Sequence, residues 1–68
     1  MNLTIELDQE EDGRWIAEVP EVPGAMAYGQ TREEAIFHVQ SLTLRVLADR
    51  LEHGESVSNV DALFTVVT

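Results

Sequence analysis

From Asn2 to Asp8 apolar and polar positions alternate strictly, with Leu3, Ile5 and Leu7 on one face and Asn2, Thr4, Glu6 and Asp8 on the other. A period of two predicts a half-buried strand. Gln9 to Gly13 is polar and ends in Asp12-Gly13, a pair that tolerates positive φ, so the chain is expected to reverse into an antiparallel hairpin. Arg14 to Val19 is then the second strand, with Trp15, Ala17 and Val19 facing one way and Arg14, Ile16 and Glu18 the other. Trp15 reads as a core or interface anchor.

Pro20 and Pro23 bracket Glu21 and Val22. Proline lacks an N–H and restricts the residue before it, so this segment is expected to leave the sheet as a rigid extended connection, with Gly24 permitting the next turn. A third strand follows over Ala25 to Gly29, with Met26 and Tyr28 opposite Ala25 and Ala27. Small side chains make a poor interior strand, which places it at a sheet edge that a partner can approach. Ala25, Met26, Ala27 and Tyr28 are therefore the candidate partner-binding residues.

Thr31 to Glu34 has the form of a capping box, in which the Thr31 hydroxyl accepts from the Glu34 amide and the Glu34 carboxylate returns to the Thr31 amide. The helix is expected to start at Arg32 and end at His53, where Gly54 supplies the left-handed position beyond it. At 1.5 Å per residue it would be about 33 Å long and overhang strands of roughly 20 Å. Placed at 100° intervals, Ala35, Ile36, Val39, Leu42, Val46 and Leu47 make one apolar stripe, and Phe37, Leu44, Ala48 and Leu51 a second on nearly the opposite side. A helix on one sheet needs only the first. The second marks Phe37, Leu44, Ala48 and Leu51 as a candidate oligomer interface.

After a polar linker from Glu55 to Asp61, residues Ala62 to Val67 place Phe64 and Val66 against Leu63, Thr65 and Val67 and read as a mostly buried strand. The expected class is α+β, in the order β-β-β-α-β. A right-handed crossover through the helix would lay the last strand parallel to the first, giving a four-stranded mixed sheet of order 3-2-1-4 with the helix on one face.

Composition sharpens this in two respects. At 68 residues without cysteine, the chain has a marginal core and neither a disulfide framework nor a thiolate metal site, so oligomerisation into at least a dimer is the expected support. Thirteen acidic against four basic residues, all arginine, give a formal net charge of −9, which repels phosphate and attracts basic partners. The 44% hydrophobic content and clear periodicity argue against disorder. With no signal peptide and no long apolar run, no membrane association is expected and the default compartment is cytoplasmic.

Candidate chemistry is thin. Glu6, Asp8, Glu10, Glu11 and Asp12 crowd the first hairpin, but a carboxylate run at a hairpin tip reads as a solvated loop. Glu34 and His38 stand one turn apart, as a metal pair would, yet Glu34 belongs to the cap and no third ligand follows. His53 in the last helical turn complements the helix dipole. No catalytic, cofactor or metal residue is assigned.

Asp12-Gly13, Ala17, Pro20-Glu21-Val22-Pro23-Gly24, Gly29, Thr31 and Glu33-Glu34-Ala35 together resemble the HicB family of antitoxin-like proteins. The pattern covers about a third of the chain; Ala25 stands where cysteine is frequent in the family, and Gln30 where aspartate is. The resemblance implies a partial RNase H-like fold, assembly into a dimer or tetramer, and a non-catalytic role in neutralising a small basic, HicA-like toxin that cleaves mRNA. Members of the family usually carry a C-terminal ribbon-helix-helix or helix-turn-helix segment. Since nothing follows Thr68, a single minimal domain over residues 1–68 without direct DNA binding is expected, and the charge opposes operator binding independently. Two other readings stand beside this one. One is a self-associating structural or regulatory oligomer without a toxin. The other is an RNase H-type nuclease, for which Glu6 or Asp8 could supply a carboxylate but no partners follow from the spacing.

Overall fold

The computed structural model describes residues 2–57 and 60–67. Strand β1 (Glu6–Gln9) and strand β2 (Trp15–Glu18) form the expected hairpin, in the register Glu6 with Glu18, Leu7 with Ala17, Asp8 with Ile16 and Gln9 with Trp15. Its loop closes on local chemistry. The Glu10 N–H donates to the Arg14 carbonyl at 2.7 Å, Gly13 takes φ 91°, and the Asp12 carboxylate accepts from the Arg14 amide at 3.1 Å.

The double-proline segment is not extended, as its prolines suggest, but coils through two consecutive turns. The Val22 amide donates to the Val19 carbonyl at 3.0 Å and the Ala25 amide to the Val22 carbonyl at 3.0 Å, so each proline occupies the second position of a turn. That is where its fixed φ is already correct, and Gly24 at φ 90° completes the second turn in the form that demands glycine. The coil points Val22 inward, where it is 3% exposed. At its mouth the Val19 N–H donates to the Ala25 carbonyl at 2.9 Å, and strand β3 (Met26–Gly29) returns antiparallel to β2.

Helix α1 (Arg32–Glu52) follows at once. Thr31 caps it by accepting from the Glu34 amide at 3.1 Å, while the Glu34 carboxylate returns to the amide of Gln30, one residue earlier than the capping-box expectation. At the other end Gly54 adopts φ 74°, and bonds from its amide to Leu51 and from the Glu55 amide to Arg50 close the terminus. The helix lies on β2 and β3. Ala35, Val39, Thr43 and Leu47 are its buried residues, packed with Ala17, Val19, Val22 and Ala25, and Leu3, Ile5, Leu7, Trp15, Ala27, Val46 and Val57 close around that core.

The four-stranded mixed sheet of order 3-2-1-4 is not what forms. The sheet has three strands, all antiparallel, in the order β1-β2-β3. Instead of a fourth strand, Val60–Leu63 is one turn of 3₁₀ helix, and Phe64 to Val67 runs on outside the sheet. The reason lies in how the linker is used. Val57 packs against the core and Val60 is buried, joined by a bond from the Val60 amide to the Val57 carbonyl at 3.2 Å, so this stretch is anchored locally. Ser58, Asn59 and Thr68 lie outside the described residues. The helix is longer than the sheet is, as expected, with 21 residues against four in each strand.

Candidate functional site

Two cross-strand rows face away from the helix: Glu6, Glu18 and Met26 in one, Asp8, Ile16 and Tyr28 in the other. Glu6 and Glu18 are direct partners, and like charges at opposed positions of an antiparallel pair repel each other. Around them Glu6, Leu7, Asp8, Glu10, Ile16 and Glu18 line an open depression of about 420 Å³. Ile16 is half-buried, and Met26 and Tyr28 are exposed at 47% and 42%. The result is a carboxylate-rimmed face with an apolar floor.

The cation nearest this face is already engaged. The Arg14 Nε donates to the Asp12 carboxylate at 2.8 Å, and the guanidinium lies 4.8 Å from the centre of the Tyr28 ring. The Arg14 backbone N–H above all, and then its side chain, hold the Asp12 carboxyl below its ordinary value of 3.8. Elsewhere, the Glu21 carboxylate accepts the Thr4 amide through both oxygens at 3.2 Å, just where the β1–β2 ladder meets Pro20. Its own amide first, and then Thr4, keep Glu21 below its ordinary 4.5.

On the far side of the helix Phe37 is 70% and Leu44 65% exposed, Leu51 is 46% exposed and Ala48 is exposed as well. Beside Leu44, an open groove of about 310 Å³ runs between the helix and the residues leading into β1, lined by Leu3, Ile5, Val19, Gln40, Thr43 and Leu44. Thr43 is the one polar side chain buried among the described residues, and its hydroxyl donates to the Val39 carbonyl at 2.6 Å. His38 is exposed, and since a carbonyl can only accept, its Nδ1 donates to Tyr28 O at 2.8 Å and ties the helix to β3. His53 does the same to Asp49 O at 2.8 Å. Among the described residues no group of three or more ligand-type side chains converges as a metal site would require, and no helix is long and apolar enough to cross a membrane.

The four residues singled out on the third strand divide between two faces. Ala25 is buried and Ala27 half-buried against the helix, while Met26 and Tyr28 belong to the outer rows. The small side chains admit the protein's own helix: a Cβ on Gly29 would lie 2.9 Å from the Ala35 Cα. Reading residue types along the chain passed over Glu6, Ile16 and Glu18 as a group. Counting back from the Glu10–Arg14 loop pairs Glu6 with Glu18, and that register was the available signal.

No family model matches the chain. Among curated proteins it is similar to the UPF0150 protein Ta0767 of Thermoplasma acidophilum, 26% identical over 62 residues that cover 91% of this chain and 90% of that protein. Among solved structures it is similar to the N-terminal domain of the Burkholderia pseudomallei antitoxin HicB, with a TM-score of 0.80 and 25% identity, over 100% of this chain and 74% of that one.

Proposed function

The chain is similar to the HicB-like antitoxin family along its whole length, and from that premise we propose that it is a non-catalytic binding module that holds a small basic toxin of the HicA-like, mRNA-cleaving kind. The observation that carries the reading to a surface is the opposed pair Glu6 and Glu18 beside Met26, Ile16 and Tyr28. Two carboxylates held side by side lose their mutual repulsion when a lysine or arginine enters between them, and the apolar floor accepts the stem of that side chain. The net charge of −9 draws such a partner in from a distance. Of the strand residues, Met26 and Tyr28 make the contact and Ala25 and Ala27 hold the helix behind it.

Co-expression with a small basic protein encoded beside it, followed by calorimetry, tests the reading. A complex at micromolar concentration is expected, weakened at least about tenfold, or ~1.4 kcal/mol, by Glu6→Lys with Glu18→Lys. Absence of a complex, or an unchanged affinity in the double variant, defeats it.

A second reading, self-association into a dimer or tetramer without a toxin, is favoured by a specific observation. Phe37, Leu44 and Leu51 stand uncovered on a domain with a small core. A second subunit is the simplest cover for such a stripe.

A further inference from the structure

Residues Ala62 to Val67 read Ala-Leu-Phe-Thr-Val-Val, the most apolar uncharged run near either end of the chain, and all six are exposed. Phe64 is 69%, Val66 85% and Val67 89% exposed, with Leu63 at 57%. Strand β1 pairs with β2 alone, so its other edge presents unbonded backbone groups. Beside that edge lies the groove formed by Leu3, Ile5, Val19, Gln40, Thr43 and Leu44. The molecule thus carries an unsatisfied apolar arm and an unsatisfied apolar slot, and does not bring them together.

We infer that the arm of a second copy fills this groove, and that two copies exchange arms reciprocally about a two-fold axis. This rests on the self-association reading but places the contact at the groove, not along the stripe from Phe37 to Leu51. Charge selects the occupant. Each copy carries −9, so two copies can meet closely only where carboxylates are absent, and neither residues 62–67 nor the groove lining contains a charged side chain. The alternation of the arm suits the site as well. In extended form Phe64 and Val66 fall on one side, toward the groove, while the backbone meets the open edge of β1.

Area is that of a modest pair. With an aromatic side chain presenting about 150–250 Å² and valine somewhat less, the exposed parts of Phe64 and Val66 offer roughly 250 Å² per arm. Two arms and the matching groove linings together reach about 1,000 Å², the size of a weak interface. Exchange of an identical segment also closes the assembly, since each copy gives one arm and receives one.

The full chain is to be examined by light scattering after size exclusion at about 1–100 µM, a range that brackets micromolar affinity. A dimer is expected, and Val66→Asp, at a position with no packing to lose, is expected to give a folded monomer with dissociation raised at least tenfold. A monomeric wild-type chain overturns both self-association and arm exchange. A Val66→Asp chain that stays dimeric overturns arm exchange alone and leaves another interface in place. Because the chain has no cysteine, a second measurement is independent of that variant's folding. An Ile5→Cys chain mixed with a Val66→Cys chain should form a disulfide-linked heterodimer on mild oxidation, and a Phe37→Cys chain mixed with the same partner should not. Failure of the first cross-link, or equal yield of the two, counts against the exchange.

Discussion

At the scale of single residues, Glu21 shows how a side chain continues what the backbone cannot. The register of the hairpin sets Thr4 opposite Pro20, where the chain turns away from the ladder, and the Glu21 carboxylate accepts from the Thr4 amide in place of a strand carbonyl. Because its folded pKa lies below the ordinary 4.5, this group contributes stability that is present above that value and is lost as the pH falls through the folded pKa. Thermal melts between about pH 7 and pH 3 at one protein concentration should therefore show a shallower acid limb for Glu21→Gln than for the wild type, since glutamine keeps an acceptor but no longer titrates. Equal limbs would show that Glu21 is not coupled to folding. Asp12 titrates in the same direction through Arg14 and remains in the variant as an internal control.

At the scale of elements, the helix and β3 meet more closely than any side chain permits. A Cβ on Gly29 would lie 2.9 Å from the Cα of Ala35 and from the Glu34 carbonyl carbon, both backbone atoms that cannot swing aside. Gly29→Ala must therefore push the first turn of the helix off the strand, together with the Thr31 cap and the His38 bond to Tyr28. Overpacking of this kind costs about 1–3 kcal/mol. For a domain of this size that corresponds to a fall in Tm of about 4–8 °C per kcal/mol, readable by circular dichroism. Ala35 is small at the same contact, where strand and helix backbones meet.

At the scale of the molecule, charge and apolar surface are segregated. The carboxylates Glu6, Asp8, Glu10 and Glu18 surround one depression, whereas the groove beside the first strand and the arm at residues 62–67 are uncharged. The two associations proposed for these surfaces respond differently to salt. Binding of a basic protein to the acidic face should weaken several-fold as ionic strength rises from about 0.05 M to 0.5 M, because exposed charges beyond a Debye length are screened. Dimerisation through the arm should hold or tighten over the same range, since screening removes repulsion between two copies of charge −9. Calorimetry for the first and light scattering for the second, in the same buffers, separate the two surfaces.

What was legible in the amino-acid order is what a few adjacent residues decide among themselves. Asp12-Gly13 made the hairpin and Thr31 with Gly54 the ends of the helix, because each depends on φ preferences and hydrogen bonds within a span of a few positions, whereas Pro20-x-x-Pro23-Gly24 marked the break between strands but read as extended where it coils. The period of two placed Leu3, Ile5 and Leu7 toward the core, and the period of 3.6 separated the stripe of Val39 and Leu47 from that of Phe37 and Leu44. Other features required the assembled chain. Thr43 is buried only because its hydroxyl can turn back to Val39, the opposed pair of Glu6 and Glu18 exists only in one register, and the helix closes on β3 because Gly29 has no Cβ. The alternation of Ala62 to Val67 states that the segment is fit for a sheet. It does not state which sheet, since pairing is a long-range choice made by where Val57 and Val60 anchor the chain, and only the tertiary structure decided that the segment stays outside its own.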